Sequence, residues 1–138
     1  MTLRDTAAAI CLLALATLTG CPGKADTEEA TYTDEGTACL DAPEADGAAV
    51  VTVDPQVCLS SSCDTLTFSD CSVTVINDTI TVTSTFVVVT EGDTCTDDCG
   101  MPTATCDAGA LAAGTYTLVY GGAETTVTVP TTEGCSAY

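Results

Sequence analysis

The chain has 138 residues, of which twenty are Asp or Glu, two are Lys or Arg and none is His, so its formal charge at pH 7 is −18. A surface that acidic repels phosphate backbones and anionic headgroups, which excludes nucleic-acid binding through a basic patch. The lack of His removes the commonest general base, the Ser-His and Cys-His nucleophile pairs and the commonest metal ligand.

In chain order, the first element is "MTLRDTAAAICLLALATLTGC", residues 1–21. Arg4 precedes an apolar stretch over residues 6–18, and small residues follow it. This is the layout of an export signal, shorter than the roughly 20 apolar residues of a membrane-spanning helix. Its end, Leu18-Thr19-Gly20-Cys21, resembles the lipobox of bacterial lipoproteins. The resemblance implies that residues 1–20 are cleaved, that the Cys21 sulfur carries a diacylglyceryl group, and that the new amino group is acylated. In that family an Asp after the lipidated Cys favours the inner membrane; Pro22 stands there in this chain, which implies the outer membrane. Two or three acyl chains hold a protein firmly to a bilayer, because each buried CH₂ contributes about 0.8 kcal/mol and one chain alone is marginal.

The ten cysteines point to an oxidising compartment or to metal sites. Zinc sites favour CxxC pairs and histidines, and the sequence has neither. Cys11 lies in the apolar run and leaves with it. With Cys21 lipidated, eight remain: Cys39, Cys58, Cys63, Cys71, Cys95, Cys99, Cys106 and Cys135. That even number permits four disulfides with no free thiol. The expected pairing is by local staples: Cys58 or Cys63 with Cys71, a bond within Cys95, Cys99 and Cys106, and Cys39 with Cys135.

Residues 21–38 contain small and acidic residues and one large apolar group, Tyr32. They read as a disordered acidic tether that buries too little to offset its chain entropy. Cleavage removes Arg4 and Asp5 together, so a chain starting at Cys21 keeps its −18 and has Lys24 as its only cation. Residues 39–49, "CLDAPEADGAA", read as a loop held by Cys39. From residue 50 the apolar period is two. "VVTV" (50–53) and "TLTF" (65–68) are short strands, and "SVTVINDTITVTSTFVVVT" (72–90) is a hairpin turning at Asn77-Asp78. In its second arm Ile80, Val82, Phe86 and Val88 share a face. The other face changes from Thr81, Thr83 and Thr85 to Val87 and Val89, so that end is expected to be covered on both sides. Residues 91–110 carry three cysteines and five acids without periodicity and read as a loop pinned by disulfides. A second hairpin is expected over residues 114–130, turning at Gly121-Gly122.

Six or seven short strands with frequent turn signals define an all-β fold, a small disulfide-stapled β-sandwich spanning residues 39–138. "LAAGTYTLVY", residues 111–120, resembles the corner before a late strand in immunoglobulin-like and fibronectin-III-like domains. The resemblance implies that the Tyr116 hydroxyl bonds to nearby backbone and that Leu111 packs beside it. With few aromatic residues the core is mostly Val, Ile and Leu, and disulfides carry a large share of stability.

No constellation for catalysis stands out, so no catalytic residue is assigned. Paired carboxylates can hydrolyse glycosides, but no Trp is present to hold a sugar. Glu91, Asp93, Asp97 and Asp98 offer hard oxygen ligands on a stapled loop and are the candidates for Ca²⁺. Their spacing does not match an EF-hand, and solvated acids of an exposed loop explain them as well. The acids beside the loop cysteines disfavour a reactive thiolate. The reading is therefore a non-enzymatic envelope lipoprotein, anchored to a lipid bilayer through Cys21, with a structural or interaction module that displays stapled loops to a protein or glycan partner. The alternative is a Ca²⁺-dependent adhesion or binding domain.

Overall fold

A computed structural model describes residues 27–136; the expected signal segment, Cys21 and Lys24 lie outside them. Those residues form nine strands and no helix: β1 (Thr27–Thr33), β2 (Thr37–Ala42), β3 (Gly47–Asp54), β4 (Asp64–Ile76), β5 (Thr79–Glu91), β6 (Ala104–Leu111), β7 (Gly114–Tyr120), β8 (Ala123–Val129) and β9 (Thr131–Cys135). One sheet has five strands, with β4 on one side of β5 and β1, β7 and β8 on the other; the second has four, ordered β6-β3-β2-β9. The two sheets form a sandwich. Its core draws Leu40, Val51 and Val53 from the smaller sheet and Ile80, Phe86, Leu118 and Tyr120 from the larger, all at most 1 % exposed. Burying each such side chain stabilises the fold by about 1.5–3 kcal/mol relative to leaving it exposed.

Both expected hairpins are present. β4 and β5 pair antiparallel from Ile76↔Thr79 outward, and Asn77 takes the positive φ of 54° that the tight turn needs. β7 and β8 pair from Tyr120↔Ala123, and Gly121 and Gly122 both have positive φ. β7 lies parallel to β5, through Thr79↔Thr117 to Thr81↔Val119, while β1 runs antiparallel along the other half of the same edge.

Several expectations are corrected. Residues 27–38 are not a tether: β1 pairs with β5 over seven positions, and Tyr32 packs against the core. Backbone hydrogen bonds to an existing strand do here what the acidic side chains cannot. The loop expected over 39–49 is largely strand, because Ala38, Leu40, Ala42 and Ala49 alternate into the core at 0 % exposure. Alanine is a weak strand former in isolation, and only the close packing of the second sheet selects it. Likewise residues 104–111 of the expected loop form β6, paired with β3 from Gly47↔Leu111 to Val53↔Ala104. Finally, Val87 and Val89 are half-buried, not covered; they lie on the outer face, where Phe68 stands opposite Val87.

The separate strands expected at 65–68 and 72–76 are one, β4, interrupted by a register shift between Leu66 and Phe68. The Thr67 hydroxyl donates to the Val87 carbonyl at 3.1 Å across that shift.

Candidate functional site

The four disulfides are Cys39–Cys135, Cys58–Cys99, Cys63–Cys95 and Cys71–Cys106. All eight expected cysteines are paired, and Cys39–Cys135 is bonded as expected. The other local staples are corrected: each joins parts of the chain 32 to 41 residues apart. Hairpin β4–β5 separates Cys58 and Cys63 from Cys95 and Cys99 in sequence, and by folding back it returns the chain to the same end of the sandwich. Four disulfides place the protein in an oxidising compartment.

Two of these bonds hold no core strand together. Cys58–Cys99 and Cys63–Cys95 join the segment before β4 to the segment after β5, and Leu59 and Gly100 exchange backbone hydrogen bonds of 2.9 and 2.8 Å between them. A hydroxyl and carboxylate network completes the clamp. The Ser60 amide donates to Asp64 Oδ2 at 2.7 Å and Thr90 donates its hydroxyl to Asp64 Oδ1 at 2.6 Å. The Ser61 amide and the Thr96 hydroxyl both donate to Asp98, and the Thr96 amide donates to the Ser62 hydroxyl at 2.9 Å. Residues 91–101 are almost all exposed, so the structure presents an ordered, polar, covalently fixed loop pair at one end of the sandwich.

The electrostatics follow from those bonds. The Thr90 hydroxyl, then the Ser60 amide, hold the Asp64 carboxyl below its ordinary value; the Thr96 and Ser61 bonds do the same for Asp98. Of the Ca²⁺ candidates, Asp98 accepts from the Ser61 amide and the Thr96 hydroxyl within the loop, and Glu91, Asp93 and Asp97 are exposed. Among the described residues no group of three or more Cys, Asp or Glu converges in a way that could hold a metal ion.

A second cluster lies within the sandwich. The Tyr120 hydroxyl donates to the Glu35 carbonyl at 2.6 Å and accepts from the Ser84 hydroxyl at 2.8 Å. The Ser84 amide donates to Asp34 Oδ1 at 2.7 Å, and the Asp34 amide returns to the Ser84 carbonyl. This node ties the β1–β2 turn to β5 and β7. Two hollows flank it, one of about 290 Å³ lined by Asp34, Asp70, Ser72, Thr83 and Ser84 among others, and one of about 410 Å³ lined by Glu35, Gly36, Pro55 and Gln56. At the corner before β7 the Tyr116 hydroxyl donates to the Ala112 carbonyl at 3.0 Å, and Leu111 is 3 % exposed.

The sequence reading missed Ser60, Ser62, Asp64, Thr90 and Thr96 as partners of the loop clamp. Serine and threonine next to cysteines were the only signal, and which segments meet depends on disulfide pairing. No protein-family model, curated protein or solved structure matches this chain.

Proposed function

We propose that the chain is an exported lipoprotein, held to the outer membrane through acylated Cys21, whose sandwich is a non-enzymatic module displaying its clamped loops to a protein or glycan partner. The observation that carries this reading is the loop pair fixed by Cys58–Cys99 and Cys63–Cys95. Two covalent bonds spent on exposed, polar segments pre-order a recognition surface, and pre-ordering lowers the entropy lost on binding. The immunoglobulin-like character of the module rests on the bond from Tyr116 to Ala112. A structural role is supported by the use of the Asp64 and Asp98 carboxylates as acceptors for hydroxyls and amides of the loop pair itself.

The test is the intact mass of protein taken from its native membrane, with and without reduction and alkylation. The expected species begins at Cys21, carries lipid, and offers eight alkylatable thiols only after reduction. A species without lipid, or thiols that react before reduction, would sink the anchored-module reading.

A further inference from the structure

Strand β4 is paired on one side only, with β5. In an antiparallel ladder every second residue of such a strand turns its N–H and C=O outward, and β4 makes no backbone hydrogen bond to any other element among the described residues. Edge strands are commonly guarded by shortness, by Lys or Pro, or by a bulge. β4 is thirteen residues long with neither Lys nor Pro, and its one register shift, between Leu66 and Phe68, leaves the ladder continuous from Phe68 to Ile76. It also carries four of the five exposed large hydrophobic residues of the described chain, Leu66, Phe68, Val75 and Ile76, the last 64 % exposed. The sandwich's other edge strands lack such groups; β8 shows Glu124, Thr126 and Thr128 outward.

Charge decides what fits this edge. Asp64 and Asp70 lie on β4 and Asp78 in the turn that follows it. The described residues include no Lys, Arg or His to neutralise them. A second copy pairing antiparallel about the strand's midpoint would set Asp70 against Asp70, and like charges directly opposite are destabilising. Each copy would also bring the same acidic charge. A cationic strand meets Asp70 with an opposite charge, and its apolar side chains cover the exposed residues of β4.

We propose that the free edge of β4 is a docking site for an extended, Lys- or Arg-bearing segment of another protein, which adds to the five-stranded sheet as a further strand. This surface is distinct from the clamped loops and does not depend on what they bind or on lipid at Cys21.

The experiment uses the full-length, disulfide-intact chain in neutral detergent. The probes are two synthetic peptides of the length of β4, one alternating Lys with Val and one alternating Glu with Val. The Lys peptide is expected to bind, to slow amide exchange selectively within residues 65–76, and to lose affinity with added salt. Asp70→Lys is expected to shift the ratio of the two affinities toward the Glu peptide by about tenfold or more. Glu124→Lys, which makes the same charge change on β8, is expected to leave that ratio unchanged. If Glu124→Lys shifts it equally, or if β4 exchange does not respond, the binding is diffuse attraction and the proposal fails. It fails too if the β4 amides that face away from β5 are already protected in the chain alone, in a dimer by a second copy or in a monomer by its own residues 1–26.

Discussion

Tyr120 shows how one side chain can join three parts of a small fold. It is 1 % exposed, and its hydroxyl is shared between the Glu35 carbonyl and Ser84. Tyr120→Phe keeps the ring but strands both partners, and is expected to cost about 1–3 kcal/mol in chemical denaturation. Burial, and then the carboxylates of Asp34, Glu35 and Asp54, push the Tyr120 phenol above its ordinary value of 10.0, against the Ser84 bond that lowers it. The folded state therefore holds this proton more tightly than the unfolded chain does. Its contribution is complete below about pH 10 and is lost as pH rises through the folded value. Denaturation measured across that range should show a loss in the native protein that is missing in Tyr120→Phe; equal losses in both would assign the alkaline sensitivity elsewhere. Gly36 is the other residue the turn depends on. At φ 91° its position suits glycine, and a Cβ there would run into the Asp54 carbonyl and lie 2.7 Å from Pro55 backbone atoms.

At the level of elements, the disulfides divide into two kinds. Cys39–Cys135 joins neighbouring strands β2 and β9 at paired positions, and Cys71–Cys106 ties β4 to β6 and so one sheet to the other. The remaining two fix loops. The Cys39–Cys135 bond spans 96 residues, against 32 for Cys63–Cys95. Loop-closure entropy alone then gives about 4.7 kcal/mol for the first and roughly 1 kcal/mol less for the second. Replacing Cys39 and Cys135 by Ser is expected to lower the melting temperature more than replacing Cys63 and Cys95. The loop pair of the second variant should also gain amide exchange while the sandwich keeps its protection. If both variants lose protection everywhere alike, the loops are part of the core's cooperative unit and not an appended surface.

For the molecule as a whole, the dominant long-range force is self-repulsion from a charge of −18. Screening should raise the melting temperature with added salt. Ca²⁺ and Mg²⁺ at equal concentration are expected to raise it equally, because the acids of residues 91–98 are not gathered into a ligand cage. A rise specific to Ca²⁺ in thermal melts would revive the Ca²⁺-dependent binding domain in place of the proposed module. The same excess of acid opposes pairing of β4 between copies, which repel one another.

The sequence by itself determined the all-β class, the two hairpins with their turns at Asn77 and at Gly121-Gly122, and the participation of eight cysteines. Each of these depends on residues near one another in the chain: alternation of β-branched side chains, turn residues that accept positive φ, and an even cysteine count. Tertiary structure decided the rest. β1, β2 and β6 contain Ala, Glu, Asp and Gly, whose weak strand preferences are overridden by partners such as β5 and β3 far away in the chain. The pairings Cys58–Cys99, Cys63–Cys95 and Cys71–Cys106 were equally illegible, because the bonding partner is set by which strand ends meet in space. The clamped loops and the open edge of β4 follow from that same meeting of distant segments, since an edge exists only once every other strand has found its place.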